Sequence, residues 1–478
     1  MKEIRKVKVG LAGVMVTPFR GDKEGNYRED SQALTWLAES CNFELKIIEQ
    51  GLYTLEQAQN AAEELRSWGA DFILLQSSSF AAGQFIYPFA DTKIRLGLWA
   101  VPEGQPTSEG GLPLNSFAGL NLYNSILKTY LTHYDLPVKW FFGRLNQPMF
   151  EKRLKVTIQA LTAIINLKNA RIGLFGGVAP GFDNLIVDPR NLKRAIGAEI
   201  VVLDFDTLLK QAQAIQDATA IQRAADSYLS GKNVQFNRQL APQLEALSRL
   251  NIAYQQAADT YGLDAVAVSC WPRFQSDYGV AVCSLMGQLN TLGLVASCEG
   301  DVSSAVSMLA LRYLSGGKIV TLMDLATVDE KDDSILLWHC GPTSPALADD
   351  QGTRMQSLWL FDQDQKPAIG LHNDLVLKPG QATVMGFTSN FGHLLVMDGE
   401  IDNQKPSYVG SRGWYRNIHI NGQPCSTPEV IQTLMASGYQ HHYPLVHGQL
   451  TSGALEMAAW LGIEPIEKQP YTDYLNCR

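Results

Sequence analysis

The segment Leu294-Val295-Ala296-Ser297-Cys298-Glu299-Gly300-Asp301 is an apolar run that ends in two carboxylates, and a helix-like stretch over residues 302–314 follows it. This pattern puts Glu299 at the carboxyl end of a strand. The next apolar run, 318–323, ends in Asp324, and the one after it, 334–338, ends in His339. In open α/β sheets, ligands bind outside such strand ends. Taken singly, Asp301 reads as the N-cap of the helix and Glu299 as a first-turn carboxylate favoured by the helix dipole. Three polar endings on successive apolar strands point instead to a site.

The histidines add to this. Seven of the eight (His339, His372, His393, His419, His441, His442, His447) follow residue 330, and only His133 precedes it. Three fall within Gln440-His441-His442-Tyr443-Pro444-Leu445-Val446-His447. Alone, that cluster reads as a solvated loop as readily as a ligand set. With oxygen ligands from Glu299 and Asp324, one or two of its imidazoles suit an octahedral divalent ion such as Mn²⁺, with positions left for substrate. Other chemistries find less support. The glycine-rich Gly176-Gly177-Val178-Ala179-Pro180-Gly181 fits neither dinucleotide-binding nor P-loop spacing and reads as a plain βα turn. No G-x-S-x-G nucleophile elbow occurs.

The elements that must position these residues follow two rhythms. Short apolar runs at 7–16, 43–48, 71–76, 96–101 and 138–142 alternate with helical patterns, as βα units around a parallel sheet do. The rhythm restarts at residue 171, after a helix-like stretch over 151–167, and continues through 199–203, 264–270, 294–297 and 318–323. Beyond about residue 345 come short strands separated by turns, with few helices until 427–437. The expected layout is an α/β domain over 1–168, a second over 169–345 that carries the carboxylates, and a β-rich domain over 346–478 that carries the histidine ligand.

Composition narrows the class. The chain has 478 residues, 46% hydrophobic and 18% charged, too apolar and too weakly charged for a disordered chain. A net charge of −9 leaves no basic field for nucleic acid or an anionic membrane. No apolar run is long enough to span a bilayer and no signal-peptide core is evident, so the expected compartment is the cytoplasm. The seven cysteines are odd in number and widely spaced, without a Cys-x-x-Cys pair. They are expected to be reduced and mostly buried.

At Cys298-Glu299-Gly300-Asp301-Val302, with Cys270-Trp271-Pro272 and Met286-Gly287-Gln288-Leu289-Asn290 upstream, the chain resembles the L-fucose isomerase and L-arabinose isomerase superfamily. His441-His442 with His447 shortly after is similar to a grouping of the arabinose isomerases. The resemblance implies two Rossmann-like domains followed by a β-rich one, assembled as a homo-oligomer. It also implies a divalent metal, usually Mn²⁺, held by Glu299, Asp324 and His442, with His339 as a further ligand. Over the first domain the resemblance rests on Gln76-Ser77-Ser78-Ser79 and on residues 115–124, which are similar to a stretch that helps shape the sugar pocket of a neighbouring subunit. Asn115, Asn121, His441 and Trp271 are the expected sugar contacts. Asp324, where a glutamate would be the arabinose pattern, is like the fucose side, whereas His339 and the His441-His442 pair are like the arabinose side.

The expected activity is aldose-ketose isomerisation of an open-chain pentose or deoxyhexose. Glu299 and Asp324 would be the acid/base pair moving a proton between C1 and C2 through an enediol. An epimerase or other enediolate enzyme is an alternative that uses the same groups, and a sugar sensor without catalysis is one from a different class.

Overall fold

The computed structural model describes residues 3–475 apart from 107, 109, 232 and 359–368, so Cys477 lies outside the described residues. The chain divides into two compact units, Arg5–Ile165 and Asn166–Arg478 with Met1–Ile4.

The first unit is built on five parallel strands, β1 (Lys8–Val14), β2 (Glu44–Ile47), β3 (Phe72–Ser77), β4 (Arg95–Ala100) and β5 (Val138–Phe142), in the order β2-β1-β3-β4-β5. Every residue of β3 is buried, as expected of a central strand covered on both faces. The helix Leu55–Trp68 starts at a reciprocal cap between Thr54 and Gln57 and stops where Gly69 takes a left-handed conformation. Its Ala58, Ala61, Ala62 and Leu65 pack into the core beside Leu75 and Leu98. At the carboxyl end of β3 the core turns polar. There Gln76 donates to the buried Asp30 at 2.9 Å, and Arg144 donates to the same oxygen at 3.0 Å.

The second unit contains two sheets. One is parallel: β6 (Arg171–Phe175), β7 (Glu199–Leu203), β9 (Ala265–Val268) and β10 (Val295–Ser297) in the order β10-β9-β6-β7. The short β8 (Val234–Phe236) leaves this sheet for the edge of the next. The second sheet is mixed and mostly antiparallel. It holds β11 (Thr321–Asp329), β12 (Ser334–His339), β13 (Ala348–Gln356), β14 (His372–Leu377), β15 (Gly380–Phe387), β16 (His393–Asp402), β17 (Ser411–Ile420), β18 (Gln423–Pro424), β19 (His442–His447) and β20 (Glu464–Pro465). Because β16 pairs with both β15 and β17, the strands β16-β15-β19-β11-β12-β17 close on themselves as a six-stranded barrel. Met323, Leu337, Val384, Met397, Tyr415 and Leu445 are among the side chains of its core.

Two parallel α/β sheets followed by a mostly β region is the fold class that the periodicity predicts. The sheet membership of one strand differs from the sequence reading, in which run 318–323 continues the second parallel sheet. In the structure β11 pairs antiparallel with β12 and β19, inside the barrel. The reason is local: an apolar run buried on both sides carries no mark of the direction of its neighbours. Among the described residues no helix is long and apolar enough to cross a membrane.

Candidate active site

Glu299 sits in a turn of unusual backbone shape. Strand β10 ends at Ser297, and Glu299 then takes φ 58° and Gly300 φ 73°. A left-handed conformation in a residue other than glycine costs about 1 kcal/mol or more and persists only where its surroundings impose it. Three backbone hydrogen bonds do so here: Ala179 donates to the Glu299 carbonyl at 2.9 Å, Gly300 to Val268 at 3.0 Å and Asp301 to Cys298 at 2.9 Å. The glycine-rich turn after β6 thus braces the Glu299 turn. A Cβ on Gly300 would lie 2.2 Å from the Gly177 carbonyl oxygen, so only glycine fits there.

Asp301 caps the helix Val302–Leu314, its Oδ1 accepting from the Ser304 backbone N–H at 2.9 Å and the Ser303 hydroxyl at 2.6 Å. Its Oδ2 has a second partner, Nδ1 of His442, at 2.9 Å. Burial alone would push the Asp301 carboxyl up, but hydrogen bonds from His442, Ser303 and Ser304 hold it below its usual value.

The histidines arrive on the barrel. The helix Thr427–Ser437 stops at the left-handed Gly438, and buried Gln440 then anchors the chain by donating to Phe387 at 2.8 Å. His441 follows, and His442 opens β19, directly opposite Asp324 on β11. His339 ends β12 on the far side of β11, its ring stacked against that of His442 with centroids 5.8 Å apart. His441 Nε2 lies 3.1 Å from Glu299 Oε2, and its Nδ1 contacts Asn184 at 3.3 Å. The Glu299 carboxylate raises the His441 pKa. For His339, burial disfavours the charged ring, yet the carboxylate of Asp324 and the Cys340 thiol outweigh it and lift the pKa to about 9.

Two groups of side chains bring their ligand atoms within 4.8 Å of one another: Glu299 with His441 and His442, and Asp324 with His339 and His442. His442 is the member common to both. Asp324 Oδ1, His339 Nε2 and His442 Nε2 are buried and have no hydrogen-bond partner. Buried polar atoms without partners are costly, and three that converge from separate strands are the mark of a place prepared for a ligand. Carboxylate oxygens with imidazole nitrogens suit a divalent first-row ion, so the residues fit the metal that the resemblance implies.

Of the remaining residues read from the sequence, Trp271 follows β9 and is 43% exposed, so it is not a core tryptophan. Asn115 and Asn121 belong to the first compact unit, the former left-handed at the start of the helix Ser116–Thr129 and the latter exposed on that helix. The six described cysteines are free thiols: Cys283, Cys298 and Cys425 are buried, and Cys41, Cys270 and Cys340 partly exposed. Two pairs of them flank the site. Cys298 beside Glu299 touches Cys270 at 3.1 Å, and Cys340 beside His339 touches Cys283 at 3.5 Å.

Asp301 is the residue whose part in the site the sequence reading misses. The helix-cap pattern accounts for it locally, and nothing in the spacing shows its second partner.

No family model matches the chain. It is similar to sulfoquinovose isomerases of Priestia aryabhattai and Priestia megaterium, each 28% identical over 443 residues, covering 92% of this chain and 94% of the relative. The sulfoquinovose isomerase of Alkalicoccus urumqiensis is 27% identical over 406 residues, covering 83% of this chain and 86% of its own. A sugar ABC transport substrate-binding protein from Bordetella parapertussis aligns with 67% of this chain and 84% of its own at 13% identity, but its TM-score of 0.17 is too low to carry any argument.

Proposed function

We propose that the chain is a metal-dependent aldose-ketose isomerase of an open-chain sugar, with sulfoquinovose, a sulfonated deoxyhexose, as the first candidate substrate. The reading is carried by the convergence of Asp324 Oδ1, His339 Nε2 and His442 Nε2, buried and unpartnered, near Glu299. It is supported by an alignment along 92% of the chain with relatives named for isomerising a sugar. Membership of the L-fucose and L-arabinose isomerase superfamily, homo-oligomeric assembly and a cytoplasmic location belong to the same proposal.

Glu299, Asp324 and His442 would hold a divalent ion such as Mn²⁺, with His339 as a further ligand. Such an ion supplies polarisation of the sugar carbonyl and acidity at the neighbouring carbon. The chain's own groups move the protons. Glu299 and Asp324 form the acid/base pair that takes the proton from C2 of the aldose and returns one at C1, while a proton passes from O2 to O1, so that an enediol lies between two sugars of equal composition. His441 holds the Glu299 carboxylate from the exposed side, at 3.1 Å. Trp271 offers an aromatic face to the sugar, and Asn115 and Asn121 would contact the sugar held by a neighbouring subunit.

The test is conversion of sulfoquinovose, L-fucose, D-arabinose and L-arabinose by EDTA-treated protein with and without Mn²⁺. Ketose formed only with the metal is the expected result. A 2-epimer in place of ketose makes the protein an epimerase. Sugar binding without turnover makes it a sensor.

A further inference from the structure

We infer that Asp301 is a positioning residue that determines which ring nitrogen of His442 is free to bind a ligand. The inference rests on the proposed metal reading of the cluster and adds the group that prepares its shared imidazole. Asp301 and His442 are both fully buried, and 141 residues separate them along the chain. The two oxygens of Asp301 have different partners. Oδ1 accepts from the Ser303 hydroxyl and the Ser304 backbone N–H, which completes a helix cap. A cap requires one oxygen, and asparagine or serine supplies it as well. Oδ2 is left over, and it meets His442 Nδ1 at 2.9 Å.

An ionised carboxylate can only accept. His442 Nδ1 therefore carries the hydrogen, and in the neutral ring Nε2 keeps its lone pair. Nε2 is the atom that needs one: it has no hydrogen-bond partner, lies 3.5 Å from Glu299 Oε2, and belongs to the residue shared by both ligand groups. A carboxylate behind a ligating histidine fixes ring orientation and tautomer and typically accounts for about 10–100-fold in metal affinity.

The structure also dictates what Asp301→Asn does. Ser303 and Ser304 both present donors to the Oδ1 position, so the amide oxygen of an introduced asparagine settles there and keeps the cap. Its NH₂ then faces His442 Nδ1. Being a donor, it requires Nδ1 to accept, which moves the ring hydrogen to Nε2 and blocks that atom. The cap survives while the tautomer inverts, a change that a purely structural role for Asp301 does not produce.

The experiment uses the full-length chain stripped of metal with EDTA. ¹⁵N spectra of histidine-labelled protein, with His442 assigned by its loss in His442→Gln, are expected to show Nδ1–H in the wild type and Nε2–H in Asp301→Asn. Calorimetric titration with Mn²⁺ is expected to give about 10–100-fold weaker binding in the variant, with the thermal midpoint nearly unchanged. An Nε2–H tautomer in the wild type overturns the inference and needs no variant. An Nδ1–H tautomer that persists in a folded Asp301→Asn also overturns it. If the tautomer inverts but the wild type binds no Mn²⁺, Asp301 keeps its role and the metal reading of the site falls instead.

Discussion

Asp324 on β11 stands directly opposite His442 on β19 in the antiparallel register of the barrel. Register in a buried sheet is strongly held, because a slip of one residue sends every side chain to the other face. The pairing therefore fixes a carboxylate beside an imidazole through the backbone register, with ligand atoms of the two within 4.8 Å. β12, on the other side of β11, ends in His339. Glu299 reaches the cluster from the parallel sheet, where the braced left-handed turn aims it.

The first prediction concerns the two carboxylates. Glu299→Gln and Asp324→Asn keep shape and burial but remove the basic oxygens. Loss of a general acid or base typically costs about 10²–10⁴ in rate. Each variant is expected to lose at least 100-fold in kcat for sugar isomerisation with its far-UV circular dichroism unchanged. A variant that keeps more than a tenth of wild-type turnover removes that residue from the acid/base pair.

The two stacked histidines are expected to differ. His442 has its Nδ1 hydrogen directed to Asp301, which leaves Nε2 open. Nε2 of His339 carries a hydrogen in either state of its ring: in the neutral ring the Cys340 backbone N–H at 2.8 Å takes Nδ1 as its acceptor, and the raised pKa favours the charged ring with both nitrogens protonated. A metal must displace that hydrogen before His339 can ligate it. Titration with Mn²⁺ is therefore expected to show His442→Ala weakening binding by at least tenfold more than His339→Ala. Equal losses would mean that the His339 ring turns over on binding.

Much of this cluster is legible in the sequence. Glu299, Asp324, His339 and His442 each adjoin an apolar run, and polar residues at such positions stand out. Asp301 does not, because a helix cap explains it and its other partner is 141 residues away. The sheet that receives β11 is hidden for a different reason: Leu322 and Met323 are buried whichever way their neighbours run. Closure of the barrel through the β16–β17 pairing leaves no periodic trace either, since an edge strand and a closed one share the same alternation. The contacts of Cys298 with Cys270 and of Cys340 with Cys283 depend on tertiary structure alone.

Gly300 gives a sharper test of the turn than the carboxylate itself. A methyl group there meets the Gly177 carbonyl oxygen at 2.2 Å, which no side-chain rotation relieves, and its φ of 73° is unfavourable to other residues. At Gly177 an added Cβ meets nothing within 4 Å, so Gly177→Ala bears only the left-handed backbone cost of about 1–2 kcal/mol. Gly300→Ala is expected to reduce turnover at least tenfold more than Gly177→Ala and to lower the thermal midpoint further. Matching activity in the two variants would show that Glu299 does not depend on this close approach.

The buried pair in the first unit makes a prediction about pH. Burial pushes the Asp30 carboxyl up to about 6, and the Arg144 guanidinium and the Gln76 amide only partly offset it. The fold thus prefers protonated Asp30 more than the unfolded chain does. For a raised folded-state pKa, the contribution to stability is fully present below the ordinary value near 4 and is lost as pH rises through 6. Two pKa units correspond to about 3 kcal/mol. Asp30→Asn retains an oxygen for Gln76 and Arg144 but cannot titrate. Hydrogen exchange at the amides of β3 in the full-length protein is the local readout. Between pH 4 and 7, after correction for intrinsic exchange, protection in the wild type is expected to fall relative to Asp30→Asn by an amount approaching that figure. Parallel curves for the two proteins would show that Asp30 stays ionised within the fold, held by Arg144 at 3.0 Å.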